Sequence, residues 1–259
     1  MRQFNKLKQL LKNGHNCIGA WSVIPSASVA NILGASGFDF VIIDCEHGPA
    51  TMETAEDMVR ALESELCTPL IRVPYAHGPT ILRAMEIGTH GIVVPQIETV
   101  EQARSVIDAS KYSPLGYRGM SVFTRSSGYN AIGIDKRTEK ENEETMVILI
   151  VEGEEGINSL DGICELEHID VIYIGTYDLS QSLGVTDNVD SPKVINAVEN
   201  CVKKIRNHGK AAGVLAQTEK DIEKWIDIGV QFIPYMVDCG IFLQACENIV
   251  YTFNKYKNN

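Results

Sequence analysis

Eight short apolar runs, helix-like segments between them and glycines recurring at one place in that alternation predict an α/β protein, a (β/α)8 TIM barrel. The runs are Cys17–Trp21, Phe40–Ile43, Leu70–Val73, Ile92–Val94, Val147–Val151, Val171–Ile174, Ala212–Leu215 and Phe232–Tyr235. A continuous apolar run is what a parallel strand buried on both faces looks like. Gly37, Gly88 and Gly229 each close a helix, and the next strand begins three or four residues later. Eight such units suit a chain of 259 residues, near the roughly 250 typical of the barrel. A doubly wound open sheet is the alternative, but no glycine-rich phosphate loop follows the first strand.

The connecting helices carry their own punctuation. Ser26 to Ala35 has apolar residues at helical spacing and ends at Gly37. Pro79 to Ile87 opens on a proline and ends at Gly88. Thr99 and Gln102 form a capping-box pattern for Val100 to Ala109. Ser191-Pro192 opens a helix that sets Ile195, Val198, Val202 and Ile205 on one face and stops at Gly209. Thr218 caps Glu219 to Ile228, with Asp221 in the first turn.

Two stretches break the cadence. Residues 110–145 show no clear helix and read as an irregular insertion within a single domain spanning residues 1–259. Long loops in compact domains are usually functional, so 112–129 is expected to cover an active site and Asp135 to Glu144 to be a solvated charge run. Ile241 to Tyr256 is amphipathic, with Phe242, Ala245, Ile249 and Phe253 near one face. It is expected to cover this barrel or a neighbouring subunit.

Composition narrows the function. The chain is 44% hydrophobic, enough for a sizeable core, and its net charge of −11 argues against nucleic-acid binding. No run reaches the roughly 18 apolar residues of a membrane span, and Met1 to Lys8 has no apolar signal core. Seven scattered cysteines without CxxC spacing read as reduced thiols of a cytoplasmic protein.

Chemistry is expected where strands end, because barrel active sites form at the C-terminal mouth. Asp44, Glu46 and His47 follow strand two, Arg72 sits in strand three, Glu152 ends strand five, and Gly175 to Ser180 follow strand six. Strand four offers only Pro95-Gln96, strand seven only Leu215 and Gln217, and Asp238 follows strand eight. Two carboxylates with waters make a site for a hard divalent cation. A buried arginine needs an anion, and a bidentate carboxylate is the natural one. Plainer readings stay open: Glu152 starting a polar loop, Asp178 capping a helix, Arg72 held by a structural carboxylate, and Glu86 merely solvated.

The order Gly19-x-Trp21, Ile43-Asp44-x-Glu46-His47, Arg72-x-Pro74, Gly88-x-x-Gly91-Ile92-x-x-Pro95, Gly116-x-Arg118-Gly119, Val151-Glu152 and Ile174-Gly175-x-x-Asp178-Leu179-Ser180-x-Ser182-Leu183-Gly184 resembles the HpcH/HpaI aldolase family. The resemblance covers residues 17 to about 240. It implies a barrel of the phosphoenolpyruvate/pyruvate type, homo-oligomeric (dimer to hexamer), with the last helix exchanged between subunits. It implies a metal-dependent carbon–carbon lyase that makes or breaks a bond to the enolate of a 2-oxo acid, with an aldehyde or acyl acceptor. Glu152 and Asp178 would hold Mg2+ or Mn2+, with Co2+ a further candidate. His47 would be the catalytic base, working through a water on the metal, with Asp44 holding its ring and Glu86 as an acid nearby. Arg72 would bind the oxo-acid and stabilise the enolate. Gly175, Thr176, Tyr177, Asp178, Ser127 and Leu215 would complete the substrate pocket.

The chain departs from the family pattern in that pocket. Ile150 stands where the family has glutamine, and Thr176-Tyr177 replace the usual Pro-Ala or Pro-Asn. Loss of the glutamine removes one polar contact, on the order of 1 kcal/mol, and Tyr177 would intrude beside the metal. An altered pocket also fits two rival readings. A Claisen-type condensing enzyme using oxaloacetate and an acyl-CoA would need a basic or open path near 112–129, for which Arg118 and Arg125 are the candidates. A non-catalytic oxo-acid binder would bind without moving a proton.

Overall fold

The computed structural model of the chain describes residues 4–257. Met1 to Gln3, read above for a signal segment, lie outside the described residues. The strands are β1 (Cys17–Ser22), β2 (Phe40–Asp44), β3 (Thr68–Arg72), β4 (Gly91–Val94), β5 (Met146–Val151), β6 (Val171–Ile174), β7 (Ala211–Val214) and β8 (Phe232–Val237). They pair in sequence order, all parallel, and β8 returns to β1, which closes the barrel. The expected fold is therefore the observed one, and each apolar run is a strand within a residue or two of its expected ends.

The helices are α1 (Lys6–Lys12), α2 (Ala27–Ala35), α3 (Met52–Ser64), α4 (Gly78–Glu86), α5 (Val100–Ser110), α6 (Ile134–Glu144), α7 (Glu154–Asn158), α8 (Leu160–Glu165), α9 (Thr176–Ser182), α10 (Pro192–Asn207), α11 (Glu219–Asp227) and α12 (Asp238–Asn254). Both capping patterns at α5 and α11 form reciprocal boxes, Thr99 with Gln102 and Thr218 with Asp221. The sequence reading did not pick out α3, whose Ala55, Met58, Val59 and Leu62 are buried.

Two apolar layers hold the barrel. One lies between strands and helices, for example Val41, Ile43 and Ile71 against Met58 and Leu62. The other fills the interior: Leu7 and Leu11 of α1 close the bottom, Phe40 stacks on Phe232 at 4.0 Å, and Trp21, Ile150 and Tyr173 form the top. Gly19 makes the stack possible, since a Cβ there would lie 2.4 Å from the Phe40 ring.

The insertion departs from expectation. Asp135 to Glu144 is not a solvated run but most of α6, with Glu141 and Asn142 buried. The charge pattern hid a helix because its inward face is polar: Asn142 bonds both backbone groups of Tyr112. Nor does 112–129 cover the mouth. Helices run opposite to strands, so the C-terminal ends of α4 and α5 belong to the lower face. Tyr117 and Arg118 bond the Asp108 and Lys111 carbonyls, and Ser126 bonds that of Glu86. The segment is packed across the barrel's underside.

Candidate active site

Register builds the centre of the mouth. Asp44 and Arg72 are the paired last residues of β2 and β3, which puts their side chains next to each other. Arg72 Nε donates to Asp44 Oδ1 at 2.9 Å and Nη2 to Oδ2 at 2.5 Å, the bidentate carboxylate a buried arginine requires. Nη1 lies 3.1 Å from Glu46 Oε2, and the guanidinium sits 4.4 Å above the Trp21 ring. Each Nη keeps an N–H for a further acceptor. Burial alone would raise the Asp44 carboxyl. Arg72, with the Glu46 and His47 N–H groups, outweighs it and holds Asp44 below the usual range.

The expectation that Asp44 holds the His47 ring is not met, because its oxygens are taken by Arg72 and by those backbone N–H groups. What lies nearest the ring is Glu46, with Oε2 3.9 Å from His47 Nε2. The His47 side chain is 72% exposed and stands free at the mouth. Glu46 itself is raised by burial, against the opposing charges of Arg72 and His47.

The second half of the mouth comes from β5 and β6. Gly175 N–H donates to the Val151 carbonyl, which sets Gly175 beside Glu152. A Cβ at Gly175 would lie 2.8 Å from Glu152 Oε2, so this glycine keeps open the space the carboxylate occupies. Glu152 Oε1 accepts from the Gln96 N–H at 2.8 Å, and Gln96 takes a left-handed φ of 58° to aim it. Burial pushes Glu152 up to about 7, with the charges of Asp178 and Glu46 adding to the rise. Asp178 is exposed in the first turn of α9, three residues past its Gly175 N-cap, so capping is not its role.

Two cavities meet here. The inner one, about 250 Å3, is floored by Trp21, Ile150 and Tyr173 and walled by Thr176, Tyr177, Leu215 and Val237. The outer one, about 380 Å3, is bordered by Gln96, Glu98, Gln181 and Ser182. His47, Arg72, Glu152 and Asp178 line both. Tyr177 stands at the inner rim, its hydroxyl accepting from Gln217 Nε2 at 2.6 Å.

The mouth thus gathers Asp44, His47, Arg72, Glu152, Gly175, Thr176, Tyr177, Asp178 and Leu215. It does not gather two others. Glu86 ends α4 on the opposite face, where Oε1 accepts from Arg118 at 2.9 Å. Ser127 is buried on that face too, donating to the Ser121 carbonyl. Arg118 and Arg125, proposed for a CoA path, are likewise locked there, Arg125 against Glu63 and the Ile87 carbonyl. Sequence reasoning gave Trp21, Gln96, Glu98, Tyr173 and Gln181 no role, although the strand-end position of Gln96 and the motif around Trp21 signalled two of them.

Whether the mouth suits a divalent cation can be judged from its donors. Among the described residues no group of three or more His, Cys, Asp or Glu side chains is arranged to hold a metal ion. Glu152 and Asp178 are a pair of hard oxygen donors at the rim of an open cavity, and burial, with the charge of Asp178 adding to it, raises Glu152. A hard cation that retains water fits such a pair.

Similarity to known proteins is consistent with this geometry. The sequence matches the HpcH/HpaI aldolase/citrate lyase family over residues 18–245. It is 30% identical to a 5-keto-4-deoxy-D-glucarate aldolase of Shigella boydii over 97% of each chain. The structure of the citrate synthase SbnG superposes with a TM-score of 0.89 at 30% identity, over 98% of this chain and 99% of that one. An HpcH/HpaI aldolase/citrate lyase family protein from Burkholderia cenocepacia J2315 superposes at 0.91 with 25% identity, over 96% and 99%.

Proposed function

The chain belongs to the HpcH/HpaI aldolase/citrate lyase family, and on that premise we propose that its mouth cleaves or forms a carbon–carbon bond to a pyruvate-type enolate. The observation that carries the proposal is the arrangement of His47 and Arg72 around a waist shared with Glu152 and Asp178.

Glu152 and Asp178 hold Mg2+ or Mn2+, or Co2+. Bound there, such an ion supplies Lewis acidity toward the oxo-acid. Arg72, fixed by Asp44, Glu46 and Trp21, lines both cavities and places positive charge where the enolate oxygen forms. The first-turn N–H groups of α9, from Thr176 on, lack intrahelical partners and bind the substrate carboxylate. His47, exposed between the cavities, moves the proton. Ile150 and Tyr173 give the inner cavity an apolar floor. No lysine lines either cavity, so the reading needs no Schiff base.

The assembly is a homo-oligomer, supported by α12, whose Phe242, Leu243, Ile249, Val250 and Phe253 are all exposed. None of the seven cysteines is paired, which supports a cytoplasmic place. No helix among the described residues is long and apolar enough to cross a membrane.

The likeness to a citrate synthase favours one second reading, condensation of oxaloacetate with an acyl-CoA. Against it, Arg118 and Arg125 are committed at the other face. Exchange of pyruvate methyl protons into D2O tests the first reading. It should require Mn2+ or Mg2+ and disappear in His47→Ala. A wild-type protein that binds metal and pyruvate without exchange contradicts it.

A further inference from the structure

We infer that the outer cavity receives an uncharged, hydroxylated aldehyde as the partner of the enolate, and disfavours an aldehyde that carries a carboxylate. The inference rests on the enolate reading above and names the acceptor class for that same site.

The two cavities differ in chemistry. Beyond the shared residues, the inner one is lined mostly by aromatic and aliphatic side chains, with Thr176 and the Arg72-bound Asp44 as the polar exceptions. Beyond the four shared residues, the outer one is bordered by neutral amides and a hydroxyl, Gln96, Gln181 and Ser182, and by two acids, Glu46 and Glu98. Its volume of about 380 Å3 lies within the ~300–1,000 Å3 of small-ligand pockets.

Charge decides what enters. Arg72 is the only fixed cation among the described residues that line the cavity, and its charge is already shared between Asp44 and Glu46. A carboxylate on the acceptor would leave water to face acids and find no free cation, which burial penalises. A cation on Glu152 and Asp178 would offset those two and still leave Glu46 and Glu98 in its path. A hydroxyl finds the opposite situation. Amides both donate and accept, and the acids accept, so each O–H and each lone pair has a candidate partner. An aldehyde with neither group leaves these amides unmatched, and sites built to bond a hydroxyl reject such analogues strongly.

The step balances without a further reactant. The methyl carbon of pyruvate gives up one proton and bonds the aldehyde carbon. The aldehyde oxygen gains a proton, and nothing is oxidised or reduced.

Propanal, glyceraldehyde and malonate semialdehyde are three-carbon aldehydes that separate these cases. Their kcat/KM for addition to pyruvate should favour glyceraldehyde over both others by about tenfold or more. Glu98→Lys should move the ratio of malonate semialdehyde to glyceraldehyde toward the acid by about tenfold. Gln181→Lys, on a different element, should move it the same way. Saturation-transfer NMR on the pyruvate-loaded protein should show contact with glycerol and none with propionate. A wild-type preference for malonate semialdehyde, or propanal equal to glyceraldehyde, overturns the inference. So does a charge ratio that neither lysine variant moves. If pyruvate exchange persists under those results, only the acceptor class is wrong. If exchange is absent, the enolate reading falls and takes the inference with it.

Discussion

At the upper end of the barrel Glu46 pairs with one guanidinium that is already bound to Asp44, Glu152 feels the same charge, and Asp178 borders the same cavities. At the lower end Glu63 lies between Arg125 and His90, 3.0 Å from His90 Nε2, and Glu86 lies against Arg118. Both ends hold buried carboxylates, and burial acts to raise Glu46 and Glu152 at the upper end and Glu63 at the lower. Counter-charge makes the difference. His90 and Arg125 overcome burial at Glu63 and hold it below the usual range, whereas Glu152 is left at about 7. The lower cluster finds its counter-ions within the fold and acts as a clamp. The upper cluster has more carboxylates than fixed cations among the described residues that line it.

That contrast can be broken by substitution. The largest effect is expected at Arg72→Lys, which keeps the charge but loses the bidentate fit to Asp44. Pyruvate exchange should fall roughly a hundred- to a thousand-fold, with the folded state retained by circular dichroism. Glu63→Gln, at the other end, should act on stability instead. Losing one partner of a mostly buried ion pair costs about 3 kcal/mol. Calorimetry should record this as a fall in Tm of about 6–12 °C, with kcat/KM of the folded enzyme unchanged.

The pH dependence of stability should separate the two ends in EDTA. Glu152 has a folded pKa of about 7, raised from 4.5. Its contribution is complete below about 4.5 and is lost as pH rises through about 7. Glu63 is lowered from 4.5 in the fold. Its contribution is complete above that value and is lost as pH falls through the folded pKa. Denaturation curves should therefore lose their slope between about 4.5 and 7 in Glu152→Gln, and their acid limb should flatten in Glu63→Gln. Identical profiles for both variants would dissolve the distinction. The smallest effect is expected at Tyr177→Phe, which removes one bond to Gln217, worth about 1 kcal/mol or a fivefold change in KM for pyruvate.

The barrel was legible because the strands carry continuous apolar runs, and the Thr99 capping box and the Thr218 cap formed where the sequence placed them. The upper cluster was legible for a related reason: residues at strand ends are brought together by topology alone, whatever the loops do. The failures share a cause. Glu86 ends α4 and the 112–129 segment, Ser127 included, follows α5, so barrel topology sets them on the lower face, whereas a motif match carries no information about face. Polar packing also misleads. Asn142 and Glu141 read as solvated, yet they are buried against the partners that make them structural. Gln96 was placed at the mouth by its strand-end position, but its backbone N–H to Glu152, set by an unusual φ, leaves no mark in the side-chain pattern.

The surplus charge at the mouth is the claim on which the rest depends, and direct Mn2+ titration tests it. Calorimetric or spin-resonance titration of wild type, Glu152→Gln and Glu63→Gln should show one saturable Mn2+ site per chain in wild type and in Glu63→Gln, and none in Glu152→Gln. Equal binding by Glu152→Gln and wild type, or no binding by wild type, would contradict the account.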